Sequence, residues 1–155
     1  MIARTPPKTG PRCRRLLYIE DHAESIALVE RLLSARKDLL LLHAADTNLG
    51  IERARREQQD AILIDIDLPG PGSAASLVRL LRADPATEAA PILALGGSVA
   101  PEAVVKGLEA GFFQILAKPL QPGPFMEALA FALEFAAVER SEGNPVLLRR
   151  RLTGM

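Results

Sequence analysis

Four charged residues stand directly after short apolar runs, at points where strands would end. Glu20 and Asp21 follow the first run of the chain, Asp65 closes the third, and Lys118 follows the fifth. A short apolar run bounded by turn-forming residues is typical of a strand buried on both faces of a parallel sheet. The carboxyl ends of such strands meet at one edge of the sheet, where ligands bind. We therefore expect the four side chains to lie close together.

The types of these residues suit the transfer of a phosphoryl group. Clustered carboxylates repel one another unless a cation joins them, and Mg²⁺ prefers their hard oxygen atoms. Lys118 adds a positive charge on a flexible stem, which suits a phosphoryl oxygen. Together these groups predict phosphoryl transfer with Asp65 as the nucleophile. Each residue taken alone is explained more simply as a solvated strand end or an ordinary ion pair, and only their joint order favours the site.

The hydrophobic pattern around these residues alternates between strand and helix. Strands are predicted at 16–19, 39–42, 61–65, 91–95 and 113–117, and helices at about 23–35, 46–58, 73–83, 101–110 and 124–139. Alternation with short connections indicates parallel strands and right-handed crossovers. The predicted fold is therefore α/β, with a doubly wound, five-stranded parallel sheet in the order 2-1-3-4-5 inside a three-layer sandwich.

Several residues mark the ends of the predicted helices. Asp46 opens the second helix as a capping residue, and Ser73 does the same for the third. Pro101 suits the first turn of the fourth helix, and Gly111 suits its end. Pro69-Gly70 forces a turn after the strand that carries Asp65.

The composition describes one globular domain with an uneven distribution of charge. The chain has 155 residues, 48% of them hydrophobic, without an apolar run long enough to cross a bilayer and without a signal-peptide pattern. We divide it into a flexible N-terminal tail at 1–14, a domain at 15–140 and a C-terminal tail at 141–155. The net charge is zero, but the basic residues concentrate in the tails and leave an acidic body that is not expected to bind nucleic acid. The single cysteine, Cys13, excludes an internal disulfide and suits a reducing cytoplasm.

The motifs resemble those of response-regulator receiver domains of two-component signalling, including chemotaxis regulators. The resemblance covers roughly 15–139 and rests on the acidic pair, on the segment 60–70 and on Lys118-Pro119. It implies that Asp65 accepts a phosphoryl group from a histidine kinase or phosphotransfer protein, and that Lys118 binds the phosphoryl oxygen. It also implies that Mg²⁺ is bound by Glu20, Asp21, Asp65 and the backbone carbonyl of Asp67. The direction of the Asp67 side chain stays open, and we expect no enzymatic turnover beyond self-phosphorylation.

Two positions depart from the family pattern, and both belong to the predicted switch. Family members usually have Thr or Ser at the end of the fourth strand, where this chain has Gly96. They often have an aromatic residue three positions before the lysine, where this chain has Ile115. Gly97 gives the following loop more backbone freedom, and Ser98 is a candidate for the missing hydroxyl. We therefore expect intact phosphorylation chemistry with an atypical switch.

Three functions remain open on this basis. The first is a phosphoacceptor receiver, either a stand-alone regulator or the terminal receiver of a hybrid kinase, which binds a downstream protein or forms a homodimer through the helices at 101–110 and 125–139. The second is a pseudo-receiver, an interaction module without phosphate switching, which Gly96 and Ile115 favour and the retained acidic cluster opposes. The third is a phosphatase of the haloacid-dehalogenase type, because Asp65-Ile66-Asp67 resembles its Asp-x-Asp pair. Turnover of a phosphate ester would distinguish the third from the others.

Overall fold

The chain folds into a five-stranded parallel sheet covered by helices on both faces. A computed structural model describes residues 13–68, 74–97 and 100–142. The elements in these ranges are β1 Arg14–Ile19, α1 Ala23–Leu33, β2 Leu39–Ala44, α2 Thr47–Arg56, β3 Ala61–Asp65, α3 Ala74–Ala83, β4 Ile92–Gly96, α4 Pro101–Ala110, β5 Gln114–Ala117 and α5 Pro122–Glu142. The strand order is β2-β1-β3-β4-β5, which confirms the predicted fold class. None of the helices described combines the length and apolar character that a membrane span needs.

Alternate residues of the central strands face two separate hydrophobic cores. On one face Tyr18 and Leu63 pack with residues of α1 and α5, among them Phe125. On the other face Ile19 and Ile64 pack with residues of α2 and α3. Because both faces are covered, β3 is buried along its whole length, and this explains the unbroken apolar run before Asp65.

Two of the predicted helix ends have the expected geometry. Asp46 precedes α2 in an extended conformation, and its Oδ1 accepts a hydrogen bond from the Leu49 N–H at 2.8 Å. Gly111 ends α4 with a φ of 127°, a backbone conformation that favours glycine. The guanidinium of Arg82 donates to the Gly111 carbonyl at 2.9 Å and so joins the end of α3 to the end of α4.

Three elements begin or end at residues other than the predicted ones. In the two strands among them, pairing with a neighbouring strand, rather than the apolar run, decides where the strand begins or ends. β1 begins at Arg14, inside the predicted tail, because Arg14 pairs with Leu39 of β2 and its N–H donates to the Asp38 carbonyl. α5 runs to Glu142, past the predicted boundary at 140. β4 includes Gly96, which pairs with Ala117. The predicted roles of Pro69-Gly70 and Ser73, and most of both predicted tails, lie outside the described residues.

We expect Gly111→Ala to lower the free energy of unfolding by about 1–2 kcal/mol. Alanine rarely adopts this φ, and its Cβ would stand 3.3 Å from Cγ and Nε of Arg82. Urea unfolding followed by circular dichroism measures the effect. The matched control is Gly123→Ala, where a Cβ meets no atom within 4 Å and where we expect a change within about 0.5 kcal/mol. Equal effects of the two substitutions would contradict the prediction.

Candidate functional site

The predicted acidic and basic residues meet at the carboxyl edge of the sheet. β1 and β3 are neighbours, with Ile19 beside Ile64, so the residues that follow them lie next to each other. Lys118 follows β5, and its Nζ lies 2.7 Å from Oδ2 of Asp65. β4 separates β3 from β5, so the lysine reaches across the end of β4, where Gly96 has no side chain. The Lys118–Pro119 peptide bond is cis.

Asp65 is buried, and both of its carboxylate oxygens accept hydrogen bonds. Oδ1 accepts from the Asp67 N–H at 2.8 Å, and Oδ2 accepts from Lys118. Burial raises the pKa of Asp65, but hydrogen bonds from the Glu20 carboxyl, from Lys118 and from the Asp67 N–H outweigh it and hold the pKa below its ordinary value. Asp65 is therefore ionised at neutral pH, which is the state that a nucleophilic carboxylate needs.

Lys118 keeps its positive charge at the site. Burial lowers the pKa of its ammonium, but the neighbouring carboxylates, first Asp65 and then Glu20 and Asp67, raise it above its ordinary value. The side chain is 30% exposed, so the ammonium group sits at the mouth of the site rather than in the core. A charged lysine in this place neutralises one of the acidic groups around it.

Glu20 is the site residue whose charge is least well compensated. It is fully buried, the Tyr18 hydroxyl donates to its Oε1 at 3.3 Å, and its Oε2 has no donor among the residues that the structure describes. Burial and the neighbouring Asp65 carboxyl raise the pKa of Glu20 from 4.5 to about 7. The same interaction between the two carboxyls that raises the pKa of Glu20 lowers the pKa of Asp65, so each influences the titration of the other.

Glu20 and Asp21 fit a divalent cation. Their carboxylate oxygens and a ring nitrogen of His22 lie within 4.8 Å of one another. Mg²⁺ takes oxygen ligands and keeps several waters, so it suits the two carboxylates better than the exposed imidazole. A cation would relieve the repulsion from Asp65 and would give a partner to the buried Oε2 of Glu20, which has no donor in the described part of the chain. Asp65 is not one of these three residues, and its carboxylate oxygens accept hydrogen bonds from Lys118 and the Asp67 N–H.

The structure describes the contacts of the predicted switch residues Gly96, Gly97 and Ile115, but not those of Ser98. Gly96 is buried at the end of β4, and its carbonyl accepts a hydrogen bond from the Lys118 N–H at 2.9 Å. The Gly97 N–H donates to Oδ2 of Asp67 at 2.8 Å. The Asp67 side chain, whose direction the sequence left open, therefore contacts the connection between β4 and α4. Ser98 lies outside the described residues.

Ile115 connects β5 to α4 by close packing. It lies beside Ala94 of β4, is partly buried, and packs against the core that α2 and α3 cover. A Cβ at Gly107 of α4 would overlap Cδ1 of Ile115, so the helix backbone lies directly on this side chain. The branched aliphatic residue is thus held by α4 in the place where family members often have an aromatic residue.

Two residues at the site were missed by the sequence analysis. Tyr18 lies two positions before Glu20, on the same face of β1, and this places its hydroxyl at the Glu20 carboxyl. His43 had no predicted role, yet its Nε2 lies 2.8 Å from the Glu20 carbonyl. The alternation of side chains along a strand could have indicated Tyr18, whereas the His43 contact depends on the pairing of β1 with β2. This pairing is visible only once the strand register is known.

Comparison with known proteins identifies the class to which this fold and site belong. A family model, the response regulator receiver domain, matches residues 16–130. The chain belongs to the response regulator receiver domain family and is therefore a receiver domain of two-component signalling. The match favours the receiver interpretation over the dehalogenase-type phosphatase.

The relatives include proteins much longer than this chain. It is 29% identical over 122 residues to the sensory/regulatory protein RpfC of Xanthomonas campestris pv. campestris, which is 77% of this chain and 16% of that protein. It is 30% identical over 109 residues to the phosphate regulon transcriptional regulatory protein PhoB of Klebsiella pneumoniae, which is 70% of this chain and 47% of that protein. The chain thus spans less than half the length of either relative.

Solved structures of receiver domains superpose along most of their length. A putative response regulator from Chloroflexus aurantiacus J-10-fl is 26% identical, with a TM-score of 0.69 over 81% of this chain and 99% of that one. The receiver domain of the sensor histidine kinase PA1611 from Pseudomonas aeruginosa PAO1 is 25% identical, with a TM-score of 0.66 over 80% of this chain and 98% of that one. That domain has a magnesium ion coordinated in its active site cleft.

Without divalent cations, we expect the free energy of unfolding to fall by up to about 3 kcal/mol as the pH rises from 5 to 8. The pKa of Glu20 is about 7 in the folded chain and near 4.5 in the unfolded chain, so between these values the folded state binds more protons. The lowered pKa of Asp65 makes the free energy of unfolding rise with pH, but only at lower pH. Urea unfolding in EDTA measures the slope.

The substitution Glu20→Gln should flatten this pH profile, because it removes the group that titrates. Glu24→Gln is the matched control, since Glu24 lies exposed in the first turn of α1, and it should keep the slope of the wild type. A flat profile for the wild type between pH 5 and 8 would contradict the prediction.

Proposed function

We propose that Asp65 accepts a phosphoryl group from the phosphohistidine of a histidine kinase or phosphotransfer protein. The observation that carries this proposal is the ion pair of 2.7 Å between the ionised Asp65 and Lys118, beside the buried Glu20 carboxyl. The arrangement combines a nucleophile, a cation for the incoming phosphoryl oxygens and a place for a metal ion. The phosphorylated domain then signals by binding another protein, and it performs no separate turnover.

In the proposed reaction an oxygen of the Asp65 carboxylate attacks the phosphorus atom. A new O–P bond forms while the P–N bond of the phosphohistidine breaks, and the electron pair of that bond stays on the imidazole nitrogen. The Asp67 N–H orients the Asp65 carboxylate through Oδ1. The Lys118 ammonium, which donates to Oδ2 of Asp65 before the transfer, donates to a phosphoryl oxygen as the group arrives and stabilises its negative charge.

Glu20, Asp21 and Asp65, with the backbone carbonyl of Asp67, would hold Mg²⁺ beside this carboxylate. When it is bound, the ion supplies positive charge that stabilises the phosphoryl oxygens during transfer. Two observations support this role. The buried Oε2 of Glu20 has no donor within the described ranges, and Glu20 forms a cluster with Asp21. The magnesium ion in the related PA1611 receiver domain supports it independently.

The response to phosphorylation is proposed to use a switch of a different kind from the usual one. Gly96 provides no hydroxyl at the end of β4, and Ile115 is held against α4 by its contact with Gly107. The connection after β4 is instead linked to the site through Gly97 and Asp67. The alternative is a pseudo-receiver that binds its partner without phosphate switching, and Gly96 is the observation that favours it.

The face formed by α4, β5 and α5 is the proposed surface for a protein partner or a homodimer. Val105 and Leu108 of α4 are 53% and 46% exposed, and Phe131 of α5 is 65% exposed. The ring of Phe131 lies 5.7 Å from that of Phe113, next to β5. Large apolar side chains left in solvent on one face are typical of a binding surface. Since the body is acidic, we propose protein rather than nucleic-acid partners, in a reducing cytoplasm.

Incubation with acetyl phosphate and Mg²⁺ should add one phosphoryl group to the wild-type chain and none to Asp65→Asn. Intact-mass spectrometry measures the adduct, and EDTA should prevent it. Asp46→Asn is the matched control, because asparagine caps a helix as well as aspartate does and Asp46 caps α2 away from the site. Absence of an adduct, together with absence of beryllofluoride binding, would support the pseudo-receiver instead.

Mg²⁺ alone should raise the free energy of unfolding of the wild type at pH 7.5 by about 1–3 kcal/mol at concentrations ten- to a hundredfold above its Kd. Binding to the folded state relieves the repulsion between Glu20 and Asp65. Asp21→Asn should lose most of this gain, whereas Glu24→Gln should keep it. An equal gain in all three proteins would show that Mg²⁺ acts elsewhere.

A further inference from the structure

One carboxylate oxygen of Asp67 contacts both the Gly97 N–H and the Lys118 ammonium, which a phosphoryl group on Asp65 would also contact. The Gly97 N–H donates to Oδ2 at 2.8 Å, and Nζ of Lys118 lies 3.5 Å from the same atom. The Asp67 side chain is 53% exposed, so these polar contacts hold it rather than core packing. Oδ2 of Asp67 therefore already accepts one hydrogen bond and forms one ion pair at the mouth of the site.

These two donors are fixed in relation to Asp65. The ammonium of Lys118 contacts Asp65 and Asp67 at once, at 2.7 Å and 3.5 Å. The backbone N–H of Lys118 donates to the Gly96 carbonyl. This hydrogen bond joins the lysine backbone to the peptide unit that carries the Gly97 N–H. Because Gly96 has no side chain, the end of β4 offers the N–H of Gly97 in place of a hydroxyl. A phosphoryl group on Asp65 would bring its oxygens to the same ammonium and into the reach of this N–H.

We propose that the Asp67 carboxylate is an internal competitor of the phosphoryl group for Lys118 and the Gly97 N–H. The inference rests on the proposed phosphorylation of Asp65 and adds to it a regulatory contact specific to this chain. A phosphoryl group carries negative charge, so it repels Asp67 and takes over both donors. The exposed Asp67 side chain then turns into solvent, and its hydrogen bond to the Gly97 N–H is lost. Phosphorylation thus changes the contact of Gly97 without a hydroxyl on β4.

A purely structural role for the same contact makes a different prediction. If Asp67 only stabilised the connection after β4, its removal would loosen Gly97 and leave the affinity of the site for an anion unchanged or lower. Competition requires a higher affinity once the carboxylate is gone. The repulsion between two like charges about 6 Å apart, at an effective dielectric constant of about 40, corresponds to roughly a tenfold change in the affinity for the anion.

The test is a titration of the ¹⁵N-labelled chain with beryllofluoride in the presence of Mg²⁺, with amide signals recorded by NMR. Asp67→Asn keeps an acceptor for the Gly97 N–H but removes the charge, and Asp67→Ala removes both. Glu102→Gln is the matched control, because it removes one charge from the exposed first turn of α4 near the same connection. We expect beryllofluoride to bind about tenfold more tightly to both Asp67 variants and with unchanged affinity to Glu102→Gln.

The Gly97 amide signal adds a measurement that needs no anion. It should shift in Asp67→Ala before beryllofluoride is added, and in the wild type it should shift when beryllofluoride binds. Tighter binding by the variants, or binding by the variants alone, supports the competition. Unchanged or weaker binding by Asp67→Asn and Asp67→Ala, while the wild type binds, overturns it and leaves the phosphoacceptor function intact. Failure of the wild type and of both variants to bind overturns the proposed function and the competition together.

Discussion

The ion pair between Asp65 and Lys118 depends on the whole sheet, and the functional site depends on this pair. Its two residues are 53 positions apart in the chain and come from strands that lie on either side of β4. A buried carboxylate without a partner would cost several kcal/mol, so the lysine and the Asp67 N–H are what allow Asp65 to remain ionised in the sheet edge. Any change in strand order or register would separate the nucleophile from its counter-ion.

Glu20 shows the cost of building such a site. It is completely buried beside Asp65, and Lys118 forms its ion pairs with Asp65 and Asp67 rather than with Glu20 among the residues that the structure describes. The repulsion that remains destabilises the folded state above the pKa of Glu20, and the same repulsion makes the site ready for a cation. Sites of this kind are destabilised in isolation because their charges are arranged for a ligand.

The route from the site to the surface passes through backbone and packing contacts. The N–H of Gly97, the carboxylate of Asp67 and the ammonium of Lys118 form one connected group at the end of β4. On the neighbouring strand, Ile115 lies against the backbone of α4 at Gly107. A change in charge at Asp65 therefore reaches Gly97 through Lys118 and Asp67, while α4, which rests on Ile115, carries the exposed Val105 and Leu108.

The sequence by itself determined the class of fold, the approximate elements and the four charged residues at the sheet edge, because apolar runs and turn residues are local signals. It also located Gly96 and Ile115 as unusual positions. Only the tertiary structure decided that Asp67 turns towards Gly97, that His43 contacts Glu20, and that β1 begins at Arg14. These features depend on strand register and on distances between residues far apart in the chain, which no local pattern encodes.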